Sequence, residues 1–230
     1  MAIYALADLH LSFGTDKPMD VFGETWDDYT EKIKTNWNRL VTKEDAVIIP
    51  GDVSWATYIE DAYDDFKFIN DLPGKKFIFK GNHDYWWTTL SKMDKFLTEN
   101  NFDSIKILNN NAAEFENAAI CGTRGWWYKE GQGEEDGRIL DREKKRLILS
   151  LEAATKLKKD RMIVALHYPP LDKDSENRDF FEIMKEYKVH TCVYGHLHSF
   201  AHKDAVMGNV EGIELKFVAG DFAKFMPTLV

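Results

Sequence analysis

Seven short apolar runs limit what this chain can fold into. They are IYALA (3–7), AVIIP (46–50), KFIFK (76–80), AAICG (118–122), MIVAL (162–166), TCVYG (191–195) and ELKFVAG (214–220). Each is short and rich in β-branched or aromatic residues, so each reads as a buried strand. Segments of helical period lie between several of them. Trp26, Tyr29, Ile33, Trp37 and Leu40 recur at three- and four-residue steps, as do Ile59, Ala62, Tyr63, Phe66 and Ile69, and then Leu147, Ile148, Leu151, Ala154 and Leu157. Strands alternating with helices imply an α/β fold with much parallel pairing. The polar, Gly-rich stretch KEGQGEEDGR (129–138) reads as a mobile loop, and AKFMPTLV at the end gives no assignment.

The 230 residues suffice for one domain, and we expect a single domain over 1–230. The net charge of −9 speaks against a general affinity for polymeric nucleic acid, which needs a basic face. It leaves a nucleotide open as a small substrate, provided cations supply the missing positive charge. The start, MAIYALADLHL, does not resemble a signal peptide, and no apolar run reaches the ~18 residues that span a bilayer. Cys121 and Cys192 sit inside apolar runs and read as buried reduced thiols. The expectation is a cytoplasmic protein with no membrane partner and an open oligomeric state.

Chemistry gathers at the strand ends. Asp8-Leu9-His10 follows the first run, Gly51-Asp52 the second, and Gly81-Asn82-His83-Asp84 the third. His167 follows MIVAL, and Gly195-His196-Leu197-His198 follows TCVY. In open α/β sheets ligands bind beyond the carboxyl ends of the strands, so these scattered residues are expected to share one site. Carboxylate, imidazole and amide donors suit Mn, Fe or Zn better than Ca, and no cysteine is among them. On extended chain, residues two apart project to the same side, which would bring Asp8 with His10, and His196 with His198, to the site. The glycines would let the chain turn beside it.

In order and spacing, Asp-x-His, Gly-Asp, Gly-Asn-His-Asp, His and Gly-His-x-His resemble the calcineurin-like metallophosphoesterase superfamily, over residues 8–198. The resemblance implies a four-layer α/β sandwich of two mixed β-sheets flanked by helices. It implies two divalent or trivalent transition-metal ions, with manganese expected to support activity in vitro. Asp8, His10 and His198 would hold one ion and Asn82, His167 and His196 the other, with Asp52 bridging. It further implies hydrolysis of a mono-, di- or pyrophosphate ester by a metal-bridging hydroxide, with His83 as general acid. Asp84 would orient the His83 ring and raise its pKa, and Asn82 would serve both metal and catalysis.

Blander readings stand beside these. The same fold can carry a non-catalytic interaction scaffold, although such a protein would be expected to lose ligands or the acid histidine. Asp8 and Asp52 could cap helices, and Asn82 could form a turn. Arg124, in GTRGWW, could grip substrate phosphate or only make a surface salt bridge. Trp86-Trp87 and Trp126-Trp127, with Tyr85 and Tyr128, could stack a planar leaving group, but core packing is the more usual use of such residues. His190 and His202 match no motif and read as ordinary surface or structural residues.

Overall fold

The computed structural model describes residues 1–127, 133–174 and 178–230. All seven apolar runs contain strands: β1 (Ile3–Ala5), β2 (Ala46–Ile49), β3 (Lys75–Ile78), β6 (Ala118–Thr123), β7 (Arg161–Leu166), β8 (Thr191–Tyr194) and β10 (Ile213–Phe217). Four short strands join them: β4 (Ile105–Ile107), β5 (Ala112–Phe115), β9 (Gly208–Val210) and β11 (Thr228–Leu229). The last lies in the tail that the sequence left unassigned, and it pairs antiparallel with β1.

One sheet runs β11-β1-β2-β3-β4 and the other β5-β6-β7-β8-β10-β9. Both are mixed: β1 to β4 are parallel, as are β6, β7, β8 and β10, and antiparallel strands β11, β5 and β9 form every edge except the β4 edge. Period-2 alternation along the strands builds the layers. Ile3, Ala5, Ala46, Ile48 and Phe77 of the first sheet meet Ile120, Ile163, Ala165 and Val193 of the second in an inner core. The opposite face of the first sheet, with Val47, Ile49 and Ile78, packs on α1 (Tyr29–Leu40), α2 (Tyr63–Asp71) and α3 (Leu90–Glu99). Cys121, Val164, Cys192 and Tyr194 on the outer face of the second sheet pack on α4 (Glu134–Lys156) and α5 (Asp179–Glu186). The result is helices, sheet, sheet, helices. Both cysteines are buried and free, and burial pushes each thiol pKa up.

Two sequence readings need correction. Trp26 is not on α1 but in a one-turn 3-10 helix before it, where it is buried. Residues 134–138, expected in a loop, are the opening of α4; Glu134, Glu135 and Asp136 there face the positive end of the helix dipole. Residues 129–132 of that stretch, and Tyr128, lie outside the described residues.

The parallel strands of both sheets end at one edge, and the sheets touch there. Ala7 N–H donates to Val218 O (2.9 Å) across the sandwich, and Asp8 N–H donates to Gly51 O (3.1 Å). His167 Nδ1 lies 3.0 Å from Pro50 O, again linking one sheet to the other.

Candidate metal centre

The segments leaving these strands are strained. Asp8, His10, Asp52 and His196 have φ of 58°, 45°, 52° and 75°. Left-handed backbone is rare outside glycine and costs on the order of 1–3 kcal/mol per residue, so such residues cluster where function requires them. The extended geometry expected for Asp8-Leu9-His10 is therefore absent; left-handed turns aim these side chains instead. Gly81 and Gly195 act through close approach. A Cβ on Gly81 would overlap the Asp52 carboxylate, and one on Gly195 would overlap that of Asp8.

All seven residues expected to bind metal meet at this edge. Asp8, His10 and His198 form one group whose donor atoms lie within 4.8 Å of one another, and Asp8, Asp52 and His167 form a second. His10 Nε2 and His198 Nε2 are 3.4 Å apart. On the other side Asn82 Oδ1 lies 2.6 Å from His167 Nε2 and 3.0 Å from His196 Nδ1, and the two rings approach to 3.2 Å. Asp52 Oδ2 sits between the halves, 3.7 Å from His10 Nε2 and 3.4 Å from His167 Nε2. Its other oxygen accepts from His83 N–H (2.8 Å), which fixes the carboxylate. Tetrahedral donors at about 2.0–2.1 Å from an ion are about 3.3 Å apart, so these spacings suit a first-row metal in each half. Asp8 and Asp52 are buried and, among the described residues, pair with no lysine or arginine. Two buried carboxylates facing clustered imidazoles leave a deficit of positive charge that cations would fill.

Electrostatics point the same way. Burial raises Asp8 well above the usual carboxylate range and Asp52 to about 6. Burial lowers His10 strongly and His167 to about 3; burial, then neighbouring histidines, lowers His196 to about 2. These three imidazoles are neutral at pH 7, as metal ligands must be. His198 differs: burial lowers it, but the Asp221 hydrogen bond and the charges of Asp8, Asp221 and Asp52 lift it to about 9. In the metal-free protein this protonated pair adds stability below His198's ordinary value of 6.5, a contribution lost as pH rises through about 9. An ion held at His198 would have to expel that proton. Mn²⁺ affinity, followed by calorimetry between pH 6 and 8, should rise about tenfold per pH unit for each proton displaced. A flat profile with no proton release would contradict a protonated His198.

Asp221 escaped the sequence reading. It follows Gly220 after ELKFVAG as Asp52 follows Gly51 after AVIIP, so the signal was present in a sixth strand end. Its carboxylate meets His198 Nδ1 (3.0 Å), Ser199 N–H (3.1 Å) and His202 Nε2 (3.0 Å), which fixes the His198 ring with Nε2 toward the site. His202 thus holds no candidate ligand position but braces the carboxylate behind one. His190 accepts from Met162 N–H (3.1 Å), an ordinary structural bond.

His83 lies at the mouth, its ring 4.5 Å from Trp55 and 5.6 Å from His10. Trp55 in turn stacks on His10 at 5.0 Å, so this tryptophan, unremarked in the sequence, positions both rings. Asp84 does not serve the His83 ring as expected. Its buried carboxylate accepts from the N–H groups of Asp52 (2.9 Å), Val53 (2.8 Å), Ser54 (3.3 Å) and Gly81 (2.7 Å), and from Trp86 Nε1 (3.0 Å). His83 Nδ1 is buried with no hydrogen-bond partner among the described residues. Asp84 therefore ties the Gly51-Asp52 turn to the Gly81-Asn82 turn. Burial, then the Asp52 charge, pushes it up to about 7 against these donors. Asp84→Ala would strand five N–H groups and should cost about 3–5 kcal/mol in urea denaturation; a loss below about 1 kcal/mol would contradict this role.

The tryptophan pairs divide. Trp86 is core, packed edge-on against Phe66 (5.0 Å). Trp87 and Trp127 are partly buried against the cores, the latter donating to Pro169 O (3.1 Å). Trp126 lies under Arg124 (4.6 Å) and beside Tyr168 (5.0 Å), whose ring lies tilted against His196 at 4.0 Å. Arg124 pairs loosely with buried Glu143 (3.5 Å).

An α/β sandwich with carboxylate, imidazole and amide donors at the strand ends of both sheets defines a candidate two-ion hydrolase centre. Residues 1–200 match the Calcineurin-like phosphoesterase family, and the chain belongs to it. It is by membership a metal-dependent phosphoesterase. Solved structures share the fold. A protein of unknown function from Aquifex aeolicus is 19% identical with a TM-score of 0.52, covering 99% of this chain and 95% of its own. Phosphopantetheinyl hydrolase (PptH) from Mycobacterium tuberculosis is 12% identical with a TM-score of 0.56, covering 100% and 95%. TT1561 of Thermus thermophilus is 14% identical with a TM-score of 0.55, covering 84% and 80%. No curated protein matches. Among the described residues no helix is long and apolar enough to cross a membrane.

Proposed function

We propose that the chain hydrolyses a phosphate ester of a small substrate, using two transition-metal ions. Asp8, His10 and His198 would hold one, Asn82, His167 and His196 the other, and Asp52 both. The observation that carries this reading is the pair of buried carboxylates, Asp8 and Asp52, set among clustered imidazoles with no lysine or arginine paired to them among the described residues. Bound ions would neutralise the phosphate and lower the pKa of a coordinated water.

The chain's own residues do the rest. His83 delivers a proton to the leaving oxygen, its backbone anchored on Asp52 and its ring against Trp55. Asn82 orients the phosphate end of the substrate beside His167 and His196. Asp84 and Asp221 are positioning residues: one joins the two turns that carry Asp52 and Asn82, the other fixes His198. Manganese, iron and zinc all suit the donors, and manganese is the first choice for assay. The acidic chain favours a small phosphorylated compound such as a nucleotide over polymeric nucleic acid. Two free buried thiols fit a reducing compartment such as the cytoplasm.

The test is a hydrolysis screen of Mn-loaded protein. It runs against nitrophenyl mono- and diesters, cyclic nucleotides, nucleotide pyrophosphates and, prompted by the name of one structural neighbour, a phosphopantetheine diester. Turnover of at least one class, abolished by chelator, is expected. Inactivity on all of them with metals bound would instead favour a binding scaffold.

A further inference from the structure

Beside the candidate metal centre lies a cavity of about 110 Å³, lined by Lys80, Arg124, Arg146, Thr88, Asn109 and Asn110 among others. A water occupies about 30 Å³ of liquid, so the space admits a few waters or one tetrahedral oxyanion. Three cations meet one carboxylate here, Glu143, in a chain of net charge −9. Glu143 is fully buried and already committed. It accepts from Thr123 Oγ1 (2.7 Å) and Arg146 (2.7 Å), and it draws in Arg124 at 3.5 Å. With Arg142 Nε also 3.9 Å away, it faces three guanidinium groups and leaves positive charge over. Lys80 forms no ion pair among the described residues, and the buried Arg124 Nε has no hydrogen-bond partner among them.

The cavity belongs to the same edge of the sandwich as the candidate ligands. Lys80 precedes Asn82 by two residues, so their Cα atoms are at most about 7 Å apart. Arg124 O accepts from both His167 N–H and Tyr168 N–H at 2.9 Å. Lys80 comes from the end of the first sheet and Arg124 from just beyond β6 of the second, so the sandwich itself brings them together.

We propose that Lys80, Arg124 and Arg146 form a subsite for a second phosphate group of the substrate, on the Asn82–His167 side of the metals. The preferred substrates are then bisphosphorylated or diphosphate compounds: one P–O bond is cleaved by water at the metals, and the second phosphate is gripped but unchanged. The substrate half rests on the function proposed above; the phosphate-binding half does not.

Lys80→Met is the probe, because it removes a charge that holds no carboxylate, with Lys80→Arg as the conservative control. Calorimetric titration of the metal-loaded full chain with inorganic phosphate is expected to show a site in the native protein that Lys80→Met weakens at least tenfold and Lys80→Arg restores. Titrations that Lys80→Met leaves unchanged would overturn the subsite, whether or not the protein hydrolyses anything. In turnover, kcat/KM for ADP or adenosine 3′,5′-bisphosphate over that for AMP should exceed tenfold, and Lys80→Met should cut this ratio about tenfold, mainly through KM. An equal loss on all substrates, or phosphate binding with no preference for the second phosphate, would overturn the assignment to substrate.

Discussion

Asp52→Asn is expected to empty both halves of the centre at once. The substitution keeps the size and one oxygen of the side chain but removes the charge that sits between His10 and His167. Neither half has a replacement: Asp8 is the other buried carboxylate in the two donor groups. Metal content by plasma emission should fall well below that of the native protein after identical loading. kcat/KM should drop at least about 10³-fold, roughly 4 kcal/mol of transition-state stabilisation. The fold should survive. Burial holds Asp52 up at about 6, so a neutral amide relieves a buried charge in the metal-free protein. Retained metal with normal stoichiometry would contradict the bridging position.

His83→Ala is the second large effect, and it separates chemistry from metal binding. The ring is not among the clustered donors; only the His83 backbone reaches Asp52, and alanine keeps that N–H. Metals should stay bound. Turnover of alkyl phosphate esters, whose leaving oxygen needs a proton, should fall about 10² to 10⁴-fold. Nitrophenyl esters, with a stable leaving anion, should lose much less. Loss of metal, or an equal loss on both leaving groups, would remove the acid role. Because Asp84 is engaged elsewhere, Asp84→Asn should not reproduce this leaving-group dependence; its damage should appear as lost stability and lost metal.

Much of this was legible in the sequence, for a physical reason. Strands buried on both faces must be apolar and short, so all seven runs declared themselves, and parallel pairing placed their carboxyl ends at one edge. The ligand-type residues stand directly after those runs. Edge strands such as β9 and β11 were not legible, because a half-exposed strand of two or three residues carries too weak a pattern. α3 was missed although Thr89 caps it and Met93, Phe96 and Leu97 form its buried face. The left-handed turns at Asp8, His10, Asp52 and His196 were not read, since the preference of Asp and His for that region is too weak to single out these positions. The roles of Asp84 and Asp221 depend on which backbone groups converge from segments some 20 to 30 residues away, information that only the folded chain holds. Asp84 shows the hazard of assigning a role by sequence neighbourhood: it adjoins His83 in the chain but faces the Asp52 turn in space.

The most direct measurement titrates metal-stripped protein with Mn²⁺ while following both bound metal and hydrolysis of the best substrate from the screen. Two ions per chain are expected, with the rate rising to a plateau at the second equivalent. A plateau at one equivalent, or turnover that persists in the stripped protein, would contradict a two-ion centre built on Asp8 and Asp52.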